Sequence, residues 1–253
     1  MKKIFIILLI GAVCVGAYAE DKKPAMQIAD NSFFDPTRKP EKEESYKFGV
    51  EYRLELGFTQ HNQRSLNLTY ADMYLHGARL GATFTFKLPA RFGLQTGLLY
   101  TIVFGQNDQH WRSMDAPSVQ EESIRHRVLE HNFTIPVRAY YTIPVWKQLN
   151  LFVYAGPQLH IGLAENDYMK QHLSEGTKAW LEQQGIATEP YDRFADELVR
   201  ANIQMGLGGG IEWDRYRLQG GYDFGLNNLV KHTTDLNRHM WEWGWTVAFS
   251  YRF

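Results

Sequence analysis

Charged side chains at alternate positions of otherwise apolar segments are the first feature of this sequence that could carry chemistry. In the segment 46–58, Glu51, Arg53 and Glu55 alternate with large apolar residues. Opposite charges on one face of a strand can form buried ion pairs, line a selective pore or relay protons. We assign to such a charge network Glu51, Arg53, Glu55, Arg79, Arg138, Arg200, Asp223 and Glu242.

The nine histidines are the second chemical feature, since imidazole binds transition metals and titrates near neutrality. All lie in predicted long loops or at adjoining strand ends, and no pair has the spacing of a recognised zinc motif. We favour the interpretation that polar loops accumulate histidine, so no metal and no cofactor are assigned. The alternative is a loop surface that binds a transition metal or responds to pH. Its candidate ligands are His126, His131 and His160, with Glu130, Glu165 and Asp167 completing the sites.

A hydrolytic site would need a serine or histidine beside an acid at the rim of the fold. Residues of these types are Ser123, His126, Glu130, His131 and Asp223. The sequence has no nucleophile elbow, zinc-protease motif, phosphate-binding loop or paired-cysteine site. We therefore predict that the chain is not an enzyme.

Period-two alternation of apolar and polar residues identifies the elements that position these side chains. From Tyr46 to Phe58 every second residue is large and apolar, while the intervening ones are charged, polar or glycine. Such alternation predicts a β-strand with two different faces. The predicted strands span 46–58, 75–88, 92–104, 129–142, 149–163, 199–213, 216–225 and 239–253.

The connections alternate between long and short, which predicts how the strands are arranged. A barrel of the bacterial outer membrane has short periplasmic turns, long outer loops and both chain ends in the periplasm. Four long loops and three short turns then require eight strands, and one long loop carries a predicted helix at 176–184. The long loops span 59–74, 105–128, 164–198 and 226–238, and the short turns 89–91, 144–148 and 214–215.

A membrane barrel has its apolar strand face outside, whereas a soluble barrel has it inside. Glycines collect on the polar faces, as suits a crowded interior, and aromatic residues collect towards both strand ends, as in membrane girdles. We therefore predict an all-β fold, a single closed antiparallel transmembrane barrel. Eight strands leave an interior just wide enough for side chains, so we favour a plug of ion pairs over an open channel.

The remaining sequence gives the domain limits and excludes one class of partner. Residues 1–19 read as a signal peptide, because Lys2 and Lys3 precede an apolar run that ends in a small-residue cleavage pattern. Residues 20–44 are polar and predicted to be a flexible periplasmic segment, and residues 45–253 form the barrel domain. A net charge of -1 without a long basic run argues against binding to nucleic acid.

Four segments carry a family resemblance: FTIPVRAYY (133–141), YAGPQLHIG (154–162), GGYDFGLNNL (220–229) and VAFSYRF (247–253). Together they resemble the porin-family, PorT-like outer-membrane β-barrel proteins of Bacteroidetes. The resemblance implies insertion by the barrel-assembly machinery, with the terminal Phe253 as part of the recognition signal. It supplies no catalytic motif, and some relatives are associated with protein secretion or gliding.

Taken together, the sequence predicts an outer-membrane barrel with a side-chain-filled interior, surrounded by outer-membrane lipid. We expect a structural or surface-interaction role and not that of an open general porin. The alternatives are an accessory subunit of a secretion or transport assembly and, less favoured, a lipid-modifying enzyme.

Overall fold

The computed structural model describes residues 49–66, 72–112, 121–183, 187–231 and 239–253. The predicted signal peptide (1–19) and N-terminal segment (20–44) lie outside the described residues. The strands are β1 Gly49–Leu66, β2 Met73–Lys87, β3 Phe92–Arg112, β4 Glu121–Pro144, β5 Leu149–Asp167, β6 Lys170–His172, β7 Tyr191–Asp192, β8 Ala201–Trp213, β9 Tyr216–Gly225 and β10 His239–Arg252. The helices are α1 Glu175–Gln183 and α2 Arg193–Asp196, with a 3-10 turn at Pro89–Arg91.

Eight of the strands form a closed antiparallel ring. Hydrogen bonding runs in the order β4, β3, β2, β1, β10, β9, β8 and β5, and pairing of β4 with β5 closes the ring. The first and last strands are therefore neighbours, with Leu56 opposite Phe249. The two short strands β6 and β7 pair with β4 and β5 near the long-loop end of the ring.

The alternation of side chains gives the ring an apolar outer face and a polar interior. On β1, Leu56 is 59% exposed whereas its neighbour Glu55 is 1% exposed. Leu98 on β3 and Leu207 on β8 are exposed in the same way. Only lipid can solvate a continuous apolar band of this kind, because a soluble surface of that size would aggregate. The predicted eight-stranded transmembrane barrel is confirmed.

Several strands extend well beyond their predicted bounds at the long-loop end. β1 continues to Leu66 and β3 to Arg112, while β4 begins at Glu121. The apolar alternation stops earlier because these extensions pass beyond the apolar band, and backbone pairing continues without it. The predicted helix at 176–184 is present as α1.

Apolar clusters pack at the long-loop end of the barrel. One of them joins Phe194 and Leu198 to Leu229, Val230 and Met240. This cluster packs α2 and the segment just before β8 against β10. Within the described residues, no helix is long and apolar enough to cross a membrane.

Candidate functional site in the barrel lumen

We call the interior of the eight-stranded ring the lumen, and describe it from the short-turn end towards the long-loop end. At the short-turn end, Arg53 and Arg217 both contact the Glu212 carboxylate, at 2.9 and 2.6 Å. Glu51 contacts Lys87 at 2.7 Å and Arg252 at 2.6 Å. These residues come from β1, β2, β8, β9 and β10, so the ion pairs link strands around the ring.

The middle of the lumen contains a second set of polar contacts. Arg79 donates to Glu55 at 2.6 Å, and Gln219 donates to the other oxygen of the same carboxylate at 3.0 Å. Arg138 lies 3.9 Å from Asp223 and donates to Gln158 at 2.8 Å. Each of these charged groups is nearly buried, so the oppositely charged partner offsets part of the cost of desolvation.

Aromatic rings fill the space between these two polar levels. Tyr140 stacks on Tyr154 with ring centroids 5.3 Å apart and packs against Phe152 at 5.4 Å. The guanidinium of Arg138 lies 4.7 Å from the Tyr154 ring centre, and that of Arg217 lies 4.6 Å from Phe152. Cations over aromatic faces are favourable when desolvated. Rings and guanidinium groups therefore occupy the cross-section at this depth.

Glu242 is the centre of the polar contacts towards the long-loop end. Its carboxylate accepts hydrogen bonds from Gln204 at 2.9 Å, Asn202 at 3.2 Å and Gln63 at 3.5 Å. Two histidines, His61 and His160, lie beside it with ring centroids 5.6 Å apart.

A separate ion pair lies between Glu242 and the long-loop end of the lumen. Arg193 of α2 contacts Glu165 of β5 at 2.5 Å and donates to Gln63 at 3.1 Å. A side chain from the β5–β8 connection is thereby buried at the outer end of the lumen, with Arg193 3% exposed.

Arg200 corrects the predicted charge network. The other seven predicted members, from Glu51 to Glu242, face the lumen, but Arg200 precedes β8 and its side chain is half-exposed. It donates to the carbonyl oxygens of Gly162 at 3.2 Å and Leu163 at 2.6 Å. Counting alternate residues along the predicted strand 199–213 placed Arg200 inside the lumen. That prediction is wrong because β8 begins only at Ala201, so Arg200 lies before the strand. Arg200 also does not contact Asp223 or Glu242 within the described hydrogen bonds and ion pairs.

The structure separates the three histidines that were the candidate metal ligands. His126 faces the lumen and lies 2.7 Å from Asp167. His131, an odd number of positions along the same strand, faces outward and contacts the Tyr100 hydroxyl at 2.6 Å. His160 contacts His61 and Glu242 instead. The three histidines therefore do not come together, but His126 does meet Asp167, one of the acids expected to complete such sites.

The residues that could have formed a hydrolytic site are also separated. Ser123 and His131 lie on the outward face of β4, whereas His126 and Glu130 lie on its inward face. Asp223 is on β9, beside Arg138. The geometry does not assemble a nucleophile, base and acid from them.

The sequence analysis did not identify several residues that line the lumen. His61 was assigned to a loop, because the apolar alternation ends at Phe58, but it lies within β1 opposite Leu75. Arg193 lay in a predicted loop, and no local signal reports its long-range contact with Glu165. Continuing the parity of β1 beyond Phe58 would have found His61 and Gln63.

Comparisons with known proteins agree with the architecture. A family model described as an outer membrane protein β-barrel domain matches residues 36–231. No curated protein sequence matches the chain.

Solved structures give distant alignments. Ail, the attachment invasion locus protein of Yersinia pestis, is 10% identical with a TM-score of 0.30, over 81% of this chain and 99% of Ail. Neisserial surface protein A is 10% identical with a TM-score of 0.35, over 81% of this chain and 99% of that one. The outer-membrane protease OmpT from Escherichia coli is 9% identical with a TM-score of 0.39, over 83% and 99%.

Proposed function

The chain belongs to the outer membrane protein β-barrel domain family, and from that premise we propose that it is a sealed barrel with a structural or surface-interaction role. In this account the lumen is a packed, ion-paired interior and not a pathway for solutes. The barrel anchors its long-loop end at the membrane surface.

The observation that carries the proposal is the continuous filling of the lumen. Among the described residues, buried side chains cross the lumen at every depth: ion pairs at the short-turn end, aromatic rings at mid-depth, and the Glu242 and Arg193 contacts towards the long-loop end. Cavities of about 10 and 20 Å³ towards the long-loop end are large enough for about one water molecule each. The space of about 210 Å³ at the short-turn end is lined by Lys87, Arg217 and Arg252 and ends below the aromatic layer.

The long β3–β4 hairpin supports a role at the surface. From Phe104, the last large apolar outward residue of β3, the strand continues to Arg112. At about 3.4 Å per residue this extension is roughly 27 Å long, which at a strand tilt of about 40° rises about 20 Å beyond the apolar band. Its outward residues are polar, including Asp108 and Arg125, which form an ion pair at 2.8 Å. Paired polar strand ends of this length are suited to contacts with other molecules outside the membrane.

Further parts of the proposal rest on the sequence. We propose that both chain ends are periplasmic, since long and short connections alternate as in bacterial barrels. The four resembling segments support a PorT-like relationship and assembly by the barrel-assembly machinery, with Phe253 in the signal. We further propose that the protein is not an enzyme, since the sequence contains no recognised catalytic motif.

Swelling of proteoliposomes tests the sealed lumen. Refolded protein, checked for folding by a shifted band on unheated gels, is reconstituted and diluted into an isosmotic solution of a small sugar such as arabinose. We expect no swelling above empty liposomes, while an open porin in parallel swells rapidly. Swelling at a porin-like rate would contradict the proposal.

Native co-purification tests the surface role separately. A chain that acts alone or through transient surface contacts should be recovered from outer membranes without stoichiometric companions. Constant recovery of the same secretion or transport components would instead support the alternative of an accessory subunit. Altered lipid A mass after deletion of the gene would support the lipid-modifying enzyme.

A further inference from the structure

We propose that His61, His160 and Glu242 form a transition-metal site inside the barrel, of the class that binds Zn²⁺. The three side chains come from β1, β5 and β10, and one potential ligand atom of each lies within 4.8 Å of the others. All three residues are buried. The site goes beyond the sealed-barrel function and does not depend on it.

The distances suit a tetrahedral ion after small side-chain rotations. The Nδ1 atoms of His61 and His160 lie 3.6 and 3.9 Å from Oε1 of Glu242. Bonds of about 2.0–2.1 Å from zinc to nitrogen or oxygen place neighbouring ligand atoms about 3.3 Å apart. The observed separations slightly exceed this value, as expected of ligands that close around an ion.

The hydrogen bonding of the two histidines points to a missing partner. Nδ1 of His61 and Nδ1 of His160 are both buried and accept or donate no hydrogen bond within the described part of the chain. A buried polar atom without a partner is costly. A metal bound between the two nitrogens would satisfy both at once.

Glu242 is held in place by three amide donors. Asn202 and Gln204 donate to Oε1 and Gln63 donates to Oε2, which fixes the orientation of the carboxylate. Carboxylates that bind metals are usually held by hydrogen bonds in this way. Among the described residues no lysine or arginine forms an ion pair with Glu242, whereas Arg79 pairs with Glu55 and Arg193 with Glu165.

The space beside the cluster accommodates a further ligand. His160 and Glu242 line the cavity of about 20 Å³, together with Glu130 and Asn202. Among the described residues, Oε2 of Glu130 and Oδ1 of Asn202 are also buried without a hydrogen-bond partner. A water molecule bound to the metal could use both. Two imidazoles, one carboxylate and a water match the ligand set of zinc better than that of Mg²⁺ or Ca²⁺, which take oxygen ligands.

Metal analysis of the refolded protein tests the proposal. Protein without the predicted signal peptide (residues 1–19) is refolded with Zn²⁺, desalted and analysed for zinc, and affinity is measured by competition with a chelator. We expect one zinc per chain, and at least tenfold weaker affinity in His61→Gln, His160→Gln and Glu242→Gln. His126→Gln is the matched control, because it removes a buried lumen histidine outside the cluster and should retain wild-type affinity.

A cobalt spectrum keeps the test decisive if a cluster variant does not fold. The wild-type barrel refolded with Co²⁺ should show the intense visible absorption of a tetrahedral site. Absence of this absorption and of stoichiometric zinc in the wild type would overturn the proposal. So would equal affinity in the wild type and in a folded His61→Gln or His160→Gln variant.

Discussion

The Arg79 guanidinium donates to the Glu55 carboxylate at 2.6 Å, between neighbouring strands at the middle of the lumen. Arg79 lies opposite Gly57 in the β1–β2 ladder, and the absent side chain leaves room for the arginine to cross towards Glu55. The two side chains are 4% and 1% exposed. The alternation of side chains thus places both residues inside the barrel, where their ion pair fills part of the lumen.

Removing one member of this pair should be strongly destabilising. In Arg79→Met the Glu55 carboxylate keeps Gln219 as a donor but loses its cation, so we expect a loss of about 3–5 kcal/mol. The free energy of unfolding is measured with urea in lipid vesicles. The double variant Glu55→Gln with Arg79→Met should recover part of the loss. A loss of less than about 0.5 kcal/mol, typical of surface substitutions, would show that the pair is not buried.

Two adjacent glycines of β9 should respond very differently to the same substitution. A Cβ added to Gly221 would meet the Tyr154 hydroxyl inside the lumen, whereas one added to Gly220 comes no closer than 4.0 Å to another residue. We expect Gly221→Ala to cost about 1–3 kcal/mol through overpacking. Gly220→Ala is the matched control and should change stability by less than about 0.5 kcal/mol.

Combining Gly221→Ala with Tyr154→Phe checks the cause, because removal of the hydroxyl relieves the clash. Equal effects of alanine at 220 and 221 in unfolding experiments would mean that the inward and outward faces of β9 are misassigned.

The exposed pair on the β3–β4 hairpin should have a local electrostatic effect. A hydrogen bond from Arg125 lowers the pKa of Asp108 below its ordinary value of 3.8. Since the folded-state pKa is depressed, the pair contributes stability above the unfolded-state pKa, and this contribution is lost as pH falls through the folded-state pKa. Carboxyl NMR should show the lowered pKa in the wild type and a rise in Arg125→Gln. Arg127→Gln, two residues along the same strand, should leave the titration unchanged, and an equal rise there would contradict the contact.

Much of the barrel could be predicted from the sequence, because strand alternation and short turns are determined by residues that are close together in the chain. Each strand in the apolar band must alternate, and each short turn must reverse the chain within a few residues. The turn at Asp214 and Arg215 shows this, since Asp214 adopts a positive φ of 51°, a conformation that aspartate tolerates better than most residues. The extensions of β3 and β4 could not be read in this way, because no lipid constrains their outward residues.

The details of the lumen were less accessible because they depend on which strands meet across the barrel. Parity placed Glu55 and Arg79 inside, but it could not show that Arg138 meets Asp223 or that Arg193 reaches Glu165. His61 and His160 are 99 positions apart in the sequence. They meet Glu242 only because the closed ring brings β1, β5 and β10 together around one lumen, so the cluster had no sequence signal.

The central claim, a lumen sealed by its own side chains, is tested most directly by single-channel recording. Purified, folded protein is inserted into a planar lipid bilayer at high salt, with an open porin recorded in parallel. The account predicts insertion without steady conductance, because the Tyr140, Phe152 and Tyr154 layer and the flanking ion pairs block ions. A steady, ohmic, porin-sized current from the folded protein would contradict it.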